Sequence, residues 1–313
     1  MILPTLLLGL ALQQNQPEQV FRFEVDVHTV YVDVSIARGD EPVTNLTAHD
    51  FVVMDNGVAQ AIDIVDPQTV YWSILLLLDT SASLYGEKLE HLRGAAHAFV
   101  DGLSEDHEAG LMTFAEVWQV RQGLTRDFES IHDSLDQPIQ GGFTGLNDAL
   151  YAALKLVGEG TGRPMILLFT DGVDNASWLR GSELMDLVQE SEAVINVVSI
   201  KSSEKESVRS TGGNRIALRV IGSRDETQRL QASEYMDQIT DSTGGRTWYA
   251  DTSANLSEVF LNVLRDMESR YLLSYQLRGV PGNGWHKIEV KLKNQQGAEI
   301  RSRTGYTLSK TGN

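Results

Sequence analysis

Two hydrophobic patterns divide this 313-residue chain into segments. Residues 20–70 and 270–310 alternate apolar and polar positions, which predicts strands with one buried face. Between 73 and 269, continuous apolar runs such as ILLLL (74–78) and PMILLF (164–169) alternate with segments whose apolar residues recur every three or four positions. The runs are typical of strands covered on both sides, and the segments between them of amphipathic helices. We therefore predict an α/β fold: a doubly wound, mostly parallel sheet over 73–269, with an accessory β module formed by the N- and C-terminal segments.

Turn residues and shorter patterns give further local expectations. Asp55-Asn56-Gly57 predicts a hairpin turn within the N-terminal segment. Residues 110–120 and 298–308 each have the pattern of a single strand, and PGNG (281–284) is expected to turn one C-terminal strand back onto the next. The polar stretch 201–227 predicts an excursion from the core that could contain a small hairpin. The two terminal β segments could pair with each other into one accessory sheet.

The N-terminus begins with the apolar run MILPTLLLGLALQQ. It is too short to span a bilayer and is typical of the hydrophobic region of a secretory signal peptide, although the usual basic residues are missing. We predict a signal peptide over 1–13, with a buried strand or a late start codon as the alternatives. No other apolar run is long enough to predict a transmembrane span. We therefore expect an exported, bacterial protein of the periplasm or the extracellular side of the cell envelope.

Composition and missing motifs argue against several classes of function. A net charge of −17 argues against a nucleic-acid partner, because nucleic-acid binding requires basic surface to neutralise phosphates. The chain has no cysteine, which excludes thiolate metal sites and cysteine nucleophiles. It also lacks a glycine-rich phosphate loop, an HExxH helix and a GxSxG turn. We therefore predict neither enzymatic activity nor a small-molecule substrate.

Polar residues follow several of the predicted strands and form a candidate metal site. Asp79, Ser81 and Ser83 come directly after ILLLL, Thr144 lies in the loop GGFTGLNDAL, and Asp171 follows PMILLF. Loops at the carboxyl ends of parallel strands converge at one crevice, which would bring two carboxylates and three hydroxyls together. These hard oxygen donors suit Mg²⁺ or Mn²⁺. The alternative is that each residue only caps a helix or closes a turn.

The order Asp-x-Ser-x-Ser, then Thr, then Asp resembles the von Willebrand factor type A domain with its metal-ion-dependent adhesion site. The resemblance covers residues 73–269, and residues 33–57 are similar to the N-terminal module of an exported bacterial subfamily of these proteins. It implies that the metal is held by five residues, some of them through water: Asp79, Ser81, Ser83, Thr144 and Asp171. It also implies that a partner protein completes the metal's coordination.

The predicted ligands are poor in negative charge. Only Asp79 and Asp171 offset the 2+ charge of the ion, so it would accept an Asp or Glu carboxylate from a protein partner as a further ligand. Asp148 and Asp174 lie nearby in the sequence and could either compete for the metal or support its ligands. We predict a metal-dependent protein-interaction or adhesion module. The alternatives are a structural envelope subunit with an unused site and a Mg²⁺-dependent phosphoryl-transfer hydrolase, which would be expected to carry a second Asp where Ser81 stands.

Overall fold

The computed structural model describes residues 29–39, 41–65, 70–138, 141–170, 174–200, 215–294 and 297–308. The side chains of 215–227 and of Arg229 are outside this description. The predicted signal peptide (1–13) and Asp171 also lie outside the described residues.

The described elements follow one another in three groups. The N-terminal segment forms β1 (Thr29–Arg38), β2 (Glu41–Pro42), β3 (Phe51–Asp55), β4 (Val58–Gln60) and β5 (Ile62–Ile64). The middle of the chain alternates strands and helices: β6 (Trp72–Asp79), α1 (Glu87–Asp101), β7 (Glu108–Phe114), β8 (Trp118–Thr125), α2 (Phe128–Leu135), α3 (Leu146–Val157), β9 (Arg163–Phe169), α4 (Gly181–Glu190), β10 (Val194–Ile200), α5 (Arg215–Thr243), β11 (Thr247–Ala250) and α6 (Leu256–Glu268). The C-terminal segment adds β12 (Tyr271–Gln276), β13 (Gly284–Leu292), β14 (Glu299–Ser302) and β15 (Gly305–Leu308).

The central sheet confirms the predicted α/β fold class. Its strand order is β11-β10-β9-β6-β7-β8, and every neighbouring pair is parallel except β7 and β8. The leucine run in β6 is buried on both faces. Ile74, Leu76 and Leu78 pack in the core that includes α1, α2 and α6, whereas Leu75 and Leu77 pack in the core that includes α3, α4 and α5. A continuous apolar run is what a strand between two helical layers requires.

The accessory strands form two sheets that share one core. One sheet has the order β14-β1-β12-β5 with β2 beside β1, and the other has the order β15-β13-β3-β4. The antiparallel pairs β1–β12 and β3–β13 join the N-terminal segment to the C-terminal one. Val32, Val34, Phe51, Leu273 and Ile288 from these two sheets lie in a single buried cluster. The strands therefore pair across the termini, in two sheets and not in one.

Three of the local strand expectations are wrong. Residues 110–120 contain the end of β7 and the start of β8, which pair as an antiparallel hairpin around an exposed turn. The sequence PGNG at 281–284 connects two different sheets, because both edges of β12 are already occupied by β1 and β5. Residues 298–308 form β14 and β15, which also belong to different sheets. Which edges pair depends on distant strands, and the local pattern does not contain that information.

Helices account for two further differences. The helix α5 begins at Arg215, so the described part of 201–227 is helical and is not a hairpin. An apolar run of a few residues cannot distinguish a strand from a helix by its period alone. The helix α4 was not predicted, although Leu184 and Val188 give it a buried face. The turn at Asp55-Asn56-Gly57 is as expected, with positive φ angles of 46° and 81° at Asn56 and Gly57. Among the described helices, none is long and apolar enough to cross a membrane.

Candidate metal site at the carboxyl edge of the sheet

Asp79 stands where β6 ends, at the carboxyl edge, by which we mean the edge where β6, β7 and β9 end. Its side chain is 0% exposed. The Oδ1 atom of Asp79 accepts the backbone N–H of Ser81 at 2.8 Å, and Oδ2 accepts the hydroxyl of Thr170 at 2.7 Å. The Oγ atoms of Ser81 and Ser83 are 3.2 Å apart. The strand therefore delivers a buried carboxylate beside a pair of hydroxyl groups.

The loop before α3 is joined to the loops that follow β6 and β7. The carbonyl of Gly142 accepts the N–H of Ala82 at 3.1 Å, and the N–H of Gly145 donates to the carbonyl of Ala115 at 2.7 Å. A Cβ atom on Gly145 would lie 3.1 Å from the carbonyl oxygen of Glu116, so glycine allows this close approach. These contacts bring the loop that carries Thr144 to the carboxyl edge.

Thr144 is also joined to the loop that follows β9. Its N–H donates to Oδ1 of Asn175 at 2.8 Å, and its carbonyl accepts the N–H groups of Asn175 and Ala176 at 2.9 and 3.1 Å. Thr144 is 4% exposed. The position of this predicted ligand is therefore fixed by its own backbone, which leaves the side-chain hydroxyl out of these three hydrogen bonds.

Asp148 and Asp174, for which competition with the ligands and support of them were both left open, accept hydrogen bonds from the surrounding loops. The carboxylate of Asp148 accepts the backbone N–H groups of Trp178 and Leu179 at 3.0 and 2.9 Å. Asp174 Oδ1 accepts the N–H of Leu146 at 3.2 Å and Oδ2 accepts the side-chain amide of Asn147 at 2.6 Å. Both carboxylates hold the loop after β9 against the start of α3. They support the loops of the site and are engaged by N–H donors.

Tyr235 connects α5 to the same region. Its hydroxyl donates to Oδ1 of Asn147 at 3.0 Å. Burial, followed by the negative charge of Asp174, raises the pKa of Tyr235 to about 12. The phenol therefore stays neutral at physiological pH and remains a hydrogen-bond donor to α3.

Four of the five predicted ligands lie at the carboxyl edge, one at the end of β6 and three in the loops that meet there: Asp79, Ser81, Ser83 and Thr144. Asp171 lies outside the described residues. The arrangement fits Mg²⁺, because adjacent ligands of an octahedral Mg²⁺ ion lie about 3 Å apart and the Ser81 and Ser83 oxygens are 3.2 Å apart. Neither at this edge nor anywhere else do the described residues include a group of three or more His, Asp or Glu side chains arranged to hold a metal. Ligation itself stays a prediction.

Sequence reasoning missed two residues that organise the site. Thr170 holds the Asp79 carboxylate, and Asn175 holds the backbone of Thr144. Thr170 directly precedes Asp171 at the end of β9, so its place at a strand end was a usable signal. Asn175 gave none, because its contact joins loops that are 31 residues apart.

Part of this chain is similar in sequence to known proteins. A sequence model of the von Willebrand factor type A domain matches residues 74–173. The human inter-alpha-trypsin inhibitor heavy chain H6 is 23% identical over 134 residues, which are 38% of this chain and 10% of that protein. This chain therefore matches only a small part of its curated relative.

Two solved structures resemble the fold. The structure of a von Willebrand factor type A protein from Catenulispora acidiphila has a TM-score of 0.50 at 10% identity and covers 92% of this chain and 76% of that one. The structure of proximal thread matrix protein 1 from the mussel byssus has a TM-score of 0.50 at 15% identity and covers 69% of this chain and 51% of that one. At these identities the likeness concerns the fold. The first of them extends well beyond residues 74–173 and so takes in accessory strands.

Proposed function

This chain contains a von Willebrand factor type A domain, a kind of protein-interaction module, and from that premise we propose that it binds its partner through a divalent metal ion. Mg²⁺ or Mn²⁺ is held by Asp79, Ser81, Ser83, Thr144 and Asp171. When bound, the ion supplies a Lewis-acidic position that takes an Asp or Glu carboxylate of the partner protein. The partner is neither a nucleic acid nor a small-molecule substrate, and the chain is not an enzyme.

The engagement of the neighbouring carboxylates is the observation that carries this proposal. The oxygens of Asp148 and Asp174 accept N–H groups of the surrounding loops. These bonds hold Asp148 and Asp174 between the loop after β9 and the start of α3, whereas Asp79, which also accepts hydrogen bonds, lies beside the Ser81 and Ser83 hydroxyls. The predicted ligand set then has only the charges of Asp79 and Asp171, and the ion keeps its attraction for an external carboxylate.

Calorimetric titration with Mg²⁺ tests the metal site directly. We expect Asp79→Ala and Asp171→Ala each to abolish Mg²⁺ binding while the circular dichroism spectrum of the folded protein is retained. Asp63→Ala, in the exposed middle of β5, is the matched control and should bind Mg²⁺ normally. Full Mg²⁺ affinity in both Asp79→Ala and Asp171→Ala would contradict the ligand assignment.

The class of function is tested with the same variants. A partner captured from a cell-envelope extract should be lost both with EDTA and with Asp79→Ala, since both remove the metal. Turnover of a generic phosphomonoester with Mg²⁺ would instead favour the hydrolase. If neither result is obtained, the structural subunit with an unused site is favoured.

We also propose that the interaction takes place outside the cytoplasm, in the periplasm or on the extracellular side of a bacterial cell envelope. The proposal is based on the apolar N-terminal run (1–13). N-terminal sequencing of the mature protein from a bacterial host tests it, because export with processing removes that run. An intact N-terminus on a protein retained in the cytoplasm would contradict it.

A further inference from the structure

Several large apolar side chains are exposed in the loops of the carboxyl edge and at the start of β8. In the described part of the chain, the three most exposed large hydrophobic residues are Trp178, Val117 and Phe143, at 95%, 70% and 65%. Tyr85 and Trp118 are 55% and 43% exposed. We call these five residues the apolar rim. Exposed apolar groups collected in one region, and not scattered singly, mark an interaction surface.

The rim residues belong to loops that contact one another around the predicted metal ligands. Phe143 directly precedes Thr144. Tyr85 packs against Gly141 so closely that an added Cβ atom there would clash with the tyrosine ring. An added Cβ atom on Gly142 would lie 3.3 Å from Cβ of Glu116, which precedes Val117. The rim therefore follows the same loop contacts that assemble the candidate metal site.

Trp178 is held in place through its backbone while its side chain faces solvent. Its N–H donates to Asp148 Oδ2 at 3.0 Å, and the next N–H, of Leu179, donates to Asp148 Oδ1 at 2.9 Å. An indole presented on a fixed backbone loses little backbone freedom when it is covered, which favours its use in binding. Tryptophan and tyrosine are also the residues that most often contribute strongly to protein interfaces.

The charge of the chain restricts the partner that this surface fits. The net charge of −17 repels a densely acidic partner, and Glu116 places a further exposed acid within the rim. A single carboxylate aimed at the metal avoids most of this repulsion when its neighbours are uncharged. Apolar neighbours would in addition cover the exposed aromatic rings.

We propose that the partner presents an exposed peptide segment in which one Asp or Glu is flanked on both sides by large apolar residues. The acid reaches the metal and the flanking residues cover the apolar rim. This inference rests on the proposed metal-dependent function and adds to it the class of sequence that is recognised. It makes the rim a determinant of specificity and leaves the metal as the site of the carboxylate.

Binding of the full chain to peptide-coated beads tests the proposal. Four peptides are compared: a central glutamate or glutamine, flanked on each side either by leucine and phenylalanine or by serine and glycine. Binding is measured in Mg²⁺ and in EDTA. The variants are Trp178→Ser and Phe143→Ser in the rim, with Val58→Ser as a control, since Val58 is an exposed apolar residue on β4 of the accessory strands. Calorimetry checks that each variant keeps its Mg²⁺ affinity.

The expected result is that the glutamate peptide with apolar flanks binds best, only in Mg²⁺. Each rim variant should weaken this binding by about tenfold or more, the loss typical of an important interface residue, and Val58→Ser should not. Equal binding of both glutamate peptides overturns the role of the rim and leaves the metal-dependent function intact. Binding that ignores glutamine substitution and EDTA overturns the proposed function itself.

Two further outcomes would also overturn the inference. The first is that no peptide captures the chain. The second is that vesicles of phosphatidylcholine bind the chain and that Trp178→Ser removes this binding, because the exposed aromatic residues would then contact a membrane and not a peptide.

Discussion

Asp148 offers a test of how the loops of the carboxyl edge are held. Its carboxylate lies in the first turn of α3 and accepts two backbone N–H groups, from Trp178 and Leu179, at 3.0 and 2.9 Å. The changes we consider are Asp148→Ala, which removes both acceptors, and Asp148→Asn, which keeps one acceptor oxygen and introduces an amide that can only donate.

The magnitude follows from the two hydrogen bonds. A hydrogen bond to a charged group contributes about 1.5–3 kcal/mol, and the half-buried position of Asp148 favours the lower end of that range. The favourable interaction of a negative charge with the start of a helix adds about 0.5 kcal/mol, which the better helix propensity of alanine offsets. We expect Asp148→Ala to lower the free energy of unfolding of this region by about 2–4 kcal/mol, and Asp148→Asn by about half as much.

Hydrogen exchange at individual amides is the appropriate assay, because the loop can detach without unfolding of the whole domain. The amides of Trp178 and Leu179 should exchange about 30-fold faster or more in Asp148→Ala, as a loss of 2 kcal/mol or more requires. Mg²⁺ affinity should fall by about tenfold, since the same loop holds Thr144 through Asn175.

The matched control is Glu258→Ala, which removes an exposed acid from the first turn of α6. It should leave the exchange of the loop amides and the Mg²⁺ affinity unchanged. If Asp148→Ala also leaves the exchange of Trp178 and Leu179 unchanged, the carboxylate does not hold this loop and the reasoning is wrong.

The accessory module and the opposite edge of the central sheet give two further predictions. Asp55 is fully buried and accepts the hydroxyl groups of two buried tyrosines, so Asp55→Ala should lower the free energy of unfolding in urea by at least about 2 kcal/mol; the exposed Asp63→Ala should not. Burial raises the pKa of Glu108, but hydrogen bonds from Ser73 and from residues 161–162 outweigh it and leave the pKa below its usual value. The stabilisation is present above the pKa of Glu108 in the unfolded chain and is lost as the pH falls through its pKa in the folded protein. Urea titrations across the acidic range should therefore show that the free energy of unfolding declines as the pH falls, and Glu108→Gln should make this decline smaller.

The central sheet could be predicted from the sequence because its signal is local. The run ILLLL at 74–78 is apolar at every position since helices cover both faces of β6. The accessory sheets lacked such a signal. The PGNG turn at 281–284 has the composition of a hairpin, yet β13 pairs with β3, whose residues lie more than 200 positions earlier. Turn chemistry specifies a change of direction and leaves open which edge the next strand joins.

The sequence could predict where four of the proposed ligands lie, but it could not predict the residues that support them. Asp79 and Thr144 follow from strand ends and a loop that the sequence marks clearly, whereas the Thr144–Asn175 contact exists only after the loops have met. The acids Asp148 and Asp174 could be placed near the site by sequence. Their roles could not, because backbone N–H groups of a distant loop determine where their oxygens are used.

The loop after β9 joins two properties of the site that are separable by mutation. Asp148 accepts two N–H groups of that loop, which ties the loop to α3 and fixes the backbone of Trp178 in the apolar rim. Trp178→Ser removes only the apolar contact, so it should weaken peptide binding and leave Mg²⁺ affinity unchanged. Asp148→Ala loosens the loop that carries both Trp178 and the contact to Thr144, so it should weaken both. If Asp148→Ala weakens neither Mg²⁺ affinity nor peptide binding, the metal site and the apolar rim do not share this support.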